Sequence, residues 1–165
     1  MSEEPQTLAV RTGQLLTERD LTISTAESCT GGLIAHLLTN ISGSSGYVTG
    51  GLVAYSNAIK ANVLNVREST LVAHGAVSGH VAAEMAQNCR AFFNTDYALS
   101  ITGIAGPGGG TAEKPVGLTY IGLSGPDGLL VIQRHIWHGD RESNKRASAD
   151  AALQMLIDMI HETHP

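Results

Sequence analysis

The stretch LTISTAESCTGGLIAHLLT, residues 21–39, decides the fold. Leu21 to Ala26 alternates apolar residues with small hydroxylic ones, as a strand does, and Leu33 to Thr39 resumes an apolar helical spacing. Between them Glu27-Ser28-Cys29-Thr30-Gly31-Gly32 leaves room only for a tight turn. Upstream, Leu8, Val10, Leu15 and Leu16 predict a helix over Gln6 to Glu18. Downstream, the small-residue loop Ser42 to Gly46 leads to a short strand around Leu52 to Tyr55 and to helical segments over Asn57 to Asn65 and Ser69 to Ala73. Ser78 reads as the N-cap of a helix that runs through Met85 to about Phe93.

The second half has a different rhythm. Tyr97 to Thr102, Gly117 to Leu123 and Leu129 to Trp137 read as strands, the last two joined by the turn Gly125-Pro126-Asp127-Gly128 and free to pair antiparallel. From Arg141 a final helix carries Ala147, Ala151, Met155, Ile157 and Ile160 as its apolar stripe. Strands that alternate with helices early and meander late predict an α/β fold: a three-layer α/β/α sandwich around a mixed sheet, as one domain over residues 1–165.

Composition excludes several classes. With 165 residues and 42% hydrophobic ones, the chain can build one substantial core. The net charge of -5 and a charged fraction of 15% leave no concentrated basic face for a nucleic-acid backbone. No apolar run approaches the roughly 20 residues of a membrane span, and the acidic start MSEEPQ is unlike a signal peptide, so the expected location is cytoplasmic and no membrane partner is expected. Two cysteines make no disulfide framework. Of the seven histidines, His135 and His138 would fall on opposite faces of a strand and His161 and His164 lie near the end of the chain, so no metal site is expected.

Three constellations carry chemistry. The turn Ser28-Cys29-Thr30-Gly31-Gly32 aims backbone N–H groups and a helix dipole at one point, which suits an anion or an oxyanion. Ser28 stands there as a nucleophile at a strand-to-helix turn would, or as a cap, and Cys29 beside it is the rival nucleophile or a buried thiol. The second is Gly43-Ser44-Ser45 followed by Tyr55-Ser56-Asn57 and Lys60. An early helical position and desolvation would both depress the pKa of Lys60 towards that of a usable base, the alternative being a solvated surface lysine. Tyr55 either orients that lysine or meets substrate. The third is the loop Thr102-Gly103-Ile104-Ala105-Gly106-Pro107-Gly108-Gly109-Gly110, which wraps a ligand or simply moves and does not match a P-loop. Arg141 at the start of the last helix can clamp a phosphate or carboxylate.

Taken in order, AESCTGG (26–32), GSS (43–45), YSNAIK (55–60), HGAVS (74–78), GIAGPGGG (103–110), KPVG (114–117) and GDR (139–141) resemble the CinA C-terminal domain family over nearly the whole chain. With no further N-terminal domain in the sequence, it is similar to the stand-alone members. The resemblance implies a three-layer α/β/α fold and hydrolysis of nicotinamide mononucleotide to nicotinate mononucleotide and ammonia by a Ser/Lys mechanism, without cofactor. It puts the catalytic groups on Ser28, Ser45, Tyr55 and Lys60, with either serine as nucleophile. The substrate-binding residues expected are Thr30, Gly31, Gly32, Thr102, Gly103, Gly106 and Arg141. The partner is a small nucleotide, and a homo-oligomer is compatible with the sequence. A nucleotide-binding or regulatory module without turnover is the reading of a different class.

Overall fold

The computed structural model describes residues 6–165; the acidic segment 1–5 lies outside them. Helix α1 (Leu8–Glu18) leads into β1 (Ile23–Glu27), and α2 (Leu33–Thr39) follows the tight turn. A short 3-10 turn at Ser44–Gly46 precedes β2 (Val48–Val53), then α3 (Asn57–Asn62), α4 (Glu68–His74) and α5 (Gly79–Phe93). Strands β3 (Tyr97–Gly103), β4 (Leu118–Ser124) and β5 (Leu130–Ile136) come next, and α6 (Arg141–Thr163) closes the chain. The five strands form one sheet in the order β2-β1-β3-β4-β5, with β1 parallel to both β2 and β3 and the remaining pairs antiparallel. Helices on both faces complete the α/β sandwich around a mixed sheet that the sequence predicts.

Helix caps follow from local sequence. Thr7, Ser56, Ser78 and Asp140 each accept a backbone N–H in the first turn of α1, α3, α5 and α6. On one face α1, α2 and α6 bury Leu16, Ile34, Leu38, Leu153 and Leu156 against Ile23, Leu99 and Ile121. On the other, α5 buries Val81, Met85 and Cys89 against Ala26 and Ala98. Gly122 permits this second contact: a Cβ there would stand 2.7 Å from the carbonyl oxygen of Ala82 on α5.

Strand β2 and the buried stripe of the last helix differ from expectation, and α3 ends at Asn62 rather than Asn65. Strand β2 occupies Val48–Val53 and not Leu52 to Tyr55, because Thr49-Gly50-Gly51 hides its alternation behind residues of low strand propensity while its pairing to β1 supplies the missing drive. On α6, Ala147 and Ala151 are only half-buried. Met155, Ile157 and Ile160 are buried as expected, and Asn144, Ser148, Ala149, Ala152, Leu153 and Leu156 complete the covered face, since polar residues that bond back to the loops share it.

The topology places the site. The connection β1–α2–β2 passes over one face and β2–α5–β3 over the other, so the segments leaving β1 and β2 diverge. In open α/β sheets that divergence opens a crevice at the carboxyl ends of the strands.

Candidate functional site

Ser28 is the first residue beyond β1, in that crevice, and its backbone N–H is held by the carbonyl of Ile101 on β3. Lys60 sits in α3, whose start is fixed by the Ser56 cap. Lys60 is 2% exposed and no carboxylate among the described residues pairs with it. Its Nζ lies 3.0 Å from Ser28 Oγ, 2.9 Å from the carbonyl oxygen of Ala54 and 3.2 Å from that of Tyr55. A neutral amine has two N–H bonds and one lone pair. As an ammonium, Nζ donates to Ser28 Oγ and both carbonyls; once neutral, its two N–H groups still reach the carbonyls and its lone pair faces the Ser28 hydroxyl. Burial drives the Lys60 pKa below its ordinary value, opposed by the charge of the neighbouring Cys29 thiolate form.

A cleft of about 300 Å³ opens on this pair, lined by Ser28, Lys60, Tyr55, Thr102, Gly106 and Arg141 among others. The Arg141 guanidinium spans its mouth, donating from Nη1 to the Gly106 carbonyl at 2.8 Å and from Nη2 to the Tyr55 hydroxyl at 3.3 Å. Tyr55 reaches Lys60 only through its backbone carbonyl; its ring is 61% exposed at the rim. Thr102 Oγ1 donates to the Ala76 carbonyl, which ties the 76–77 segment down as a further wall. No candidate site residue of the sequence falls on that wall, although the motif HGAVS (74–78) covers it.

Other expected residues stand elsewhere. Ser45 is exposed in the 3-10 turn before β2. Since β1 and β2 run parallel, Ser45 lies at the amino end of the sheet and Ser28 at the carboxyl end, separated by a strand length of roughly 15 Å. Thr30, Gly31 and Gly32 line a different and larger cleft of about 890 Å³ between α2 and α6, with Lys145 and His36. Left-handed backbone at Gly31 and Gly32 (φ 63° and 97°) turns the chain away from Ser28. The α2 N-terminus, expected to face an anion from outside, is filled from within: the Glu27 carboxylate accepts the N–H groups of Ile34 and Ala35 at 2.8 and 3.1 Å and the Thr30 hydroxyl at 2.8 Å. The backbone N–H groups of Cys29 and Thr30 meet no acceptor on another residue among those described.

Cys29 lines the same cleft, but burial pushes its thiol up to about 11. At neutral pH it is a thiol, which is a poor nucleophile. Cys29→Ala should therefore keep kcat within about threefold of wild type, whereas a thiolate nucleophile would cost orders of magnitude. Steady-state kinetics of the folded variant decides between the two.

The site so defined is a buried amine facing a serine hydroxyl at the carboxyl ends of parallel strands. The chain belongs to the CinA family: residues 5–160 match the model of the CinA C-terminal domain. It is 46% identical over 149 residues to the nicotinamide-nucleotide amidohydrolase PncC of Escherichia coli strain K12, covering 90% of both chains. It is 50% identical over 153 residues to a putative competence-damage inducible protein of Moorella thermoacetica, covering 93% of this chain but only 37% of that one. The chain thus spans little more than a third of the length of such longer relatives. A crystal structure of the competence/damage inducible protein CihA from Agrobacterium tumefaciens superimposes with a TM-score of 0.89 at 40% identity, covering 96% of this chain and 98% of that one. The CinA superfamily protein from Klebsiella pneumoniae superimposes at 0.90 with 32% identity.

Proposed function

We propose that this chain hydrolyses the carboxamide of nicotinamide mononucleotide to nicotinate mononucleotide and ammonia, with Ser28 as nucleophile and Lys60 as base. The observation that carries the reading is the buried Lys60 Nζ, 3.0 Å from Ser28 Oγ with two carbonyls facing its other positions. Its likeness to PncC over nine-tenths of both chains supplies the substrate. Neutral Lys60 takes the Ser28 proton as Oγ attacks the carboxamide carbon, and the oxyanion meets the free N–H groups that follow Ser28. The resulting ammonium returns the proton to the departing nitrogen, and ammonia leaves a serine ester. Lys60, neutral again, then activates a water that hydrolyses the ester and releases the acid. The protein acts in the cytoplasm on a small nucleotide, without cofactor.

Arg141 reads the phosphate in this account. Its two hydrogen bonds to Gly106 and Tyr55 hold the guanidinium over the cleft with donors left for an anion. Arg141→Ala should raise KM for the nucleotide by about 10- to 100-fold, as expected for losing hydrogen bonds to a charged group, and leave KM for the phosphate-free riboside nearly unchanged. Equal losses on both substrates would remove Arg141 from phosphate recognition. The activity itself is tested by giving purified protein nicotinamide mononucleotide: equimolar ammonia and nicotinate mononucleotide are expected. Binding without product would leave a nucleotide-binding module.

A further inference from the structure

Glu27 is a buried carboxylate that the chemistry above does not use. Its residue is 1% exposed, and the ion pairs among the described residues, Arg67–Glu84 and Arg146–Asp150, leave it without a cation. A buried carboxylate needs compensation. Glu27 finds it in three donors and the positive end of a helix: Oε1 accepts from the Thr30 hydroxyl and the Ile34 N–H, and Oε2 accepts from the Ala35 N–H. All three donors lie beyond Ser28 in the chain, while Glu27 itself is locked in β1 opposite Val53 and Ile101.

We infer that Glu27 is a positioning residue for the reaction: it closes the 28–33 turn from behind and so sets where Ser28 Oγ stands relative to Lys60. The inference deepens the proposed mechanism and rests on it. The Ser28 N–H donates to Ile101 on β3, its carbonyl accepts only from Gly31 within the turn itself, and the remainder of the turn is joined to the strand by the Glu27 carboxylate. With α2 anchored to Glu27, the two glycines of left-handed backbone can reverse the chain without letting the serine drift. The same bonds consume the α2 N-terminus, so the oxyanion is left to the N–H groups of the turn. A glutamine cannot replace this carboxylate, because its amide NH2 would face an N–H whichever way it turned. An aspartate keeps the charge and loses the reach.

Glu27→Gln and Glu27→Asp test this, assayed with nicotinamide mononucleotide well below their melting temperatures beside the wild type. Expected is a fall in kcat of about 10²-fold in both, the cost of a small misplacement of reacting groups, with the dissociation constant for nicotinate mononucleotide within about threefold. The pH at which kcat/KM rises should stay where it is in the wild type, since Lys60 and its two carbonyls are untouched. A merely structural glutamate would lower the melting temperature and leave kcat per folded molecule unchanged, which would overturn the inference. So would wild-type kcat in Glu27→Asp, because charge without reach would then suffice. Should either variant fail to fold, Thr30→Val removes a single donor and is expected to lower kcat on the order of tenfold; full kcat there would equally overturn the role. Wild-type protein that released no ammonia would instead count against the hydrolase reading.

Discussion

Lys60→Met is expected to lower kcat by about 10²- to 10⁴-fold while the affinity for nucleotide, titrated directly, changes little, since a general base acts on the transition state and not on binding. The geometry makes this specific: Lys60 Nζ touches Ser28 and two carbonyls, and among the described residues no histidine lines the cleft to take over. Lys60→Arg should be no better, because a guanidinium does not release its proton at any working pH. The wild-type rate should rise with pH through a pKa below that of a free lysine. The sign follows from burial, which disfavours the ammonium form, so the neutral base is already present at lower pH. Near wild-type turnover by Lys60→Arg would reduce Lys60 to a positive charge.

Replacement of the two serines should give opposite results. Ser28→Ala removes the only hydroxyl bonded to Lys60 Nζ among the described residues, and kcat should fall on the order of 10⁴- to 10⁶-fold, the range seen when one member of a nucleophile–base unit is lost. Ser45→Ala changes an exposed turn at the far end of the sheet and should leave kcat within about twofold, as surface substitutions do. Steady-state ammonia release from both variants measures this. A dead Ser45→Ala beside an active Ser28→Ala would reverse the assignment.

Much of the architecture is legible in the sequence because periodicity and capping agree locally. The strand-turn-helix at residues 21–39, the Ser78 cap and the β4–β5 hairpin all signal through residues that act on near neighbours. Strand β2 is obscured because Gly50 and Gly51 have weak propensity and its register is set by β1, a partner more than twenty residues away. Ser28, Lys60, Thr102 and Arg141 come together because the topology gathers them at the carboxyl ends of β1 and β3, which spacing alone does not reveal. Ser45 sits close to Lys60 in the chain and far from it in space for the same reason: a whole strand lies between them. The role of Glu27 is not legible in the sequence because a carboxylate before a turn looks like a surface residue until its donors, three to eight positions later, fold over it.

Mapping the acyl group in enzyme quenched with acid during turnover of nicotinamide mononucleotide is the most direct measurement. The account predicts an ester on Ser28, absent from Ser28→Ala and unaffected by Cys29→Ala. An adduct on Ser45 or Cys29, or wild-type turnover by Ser28→Ala, would contradict it.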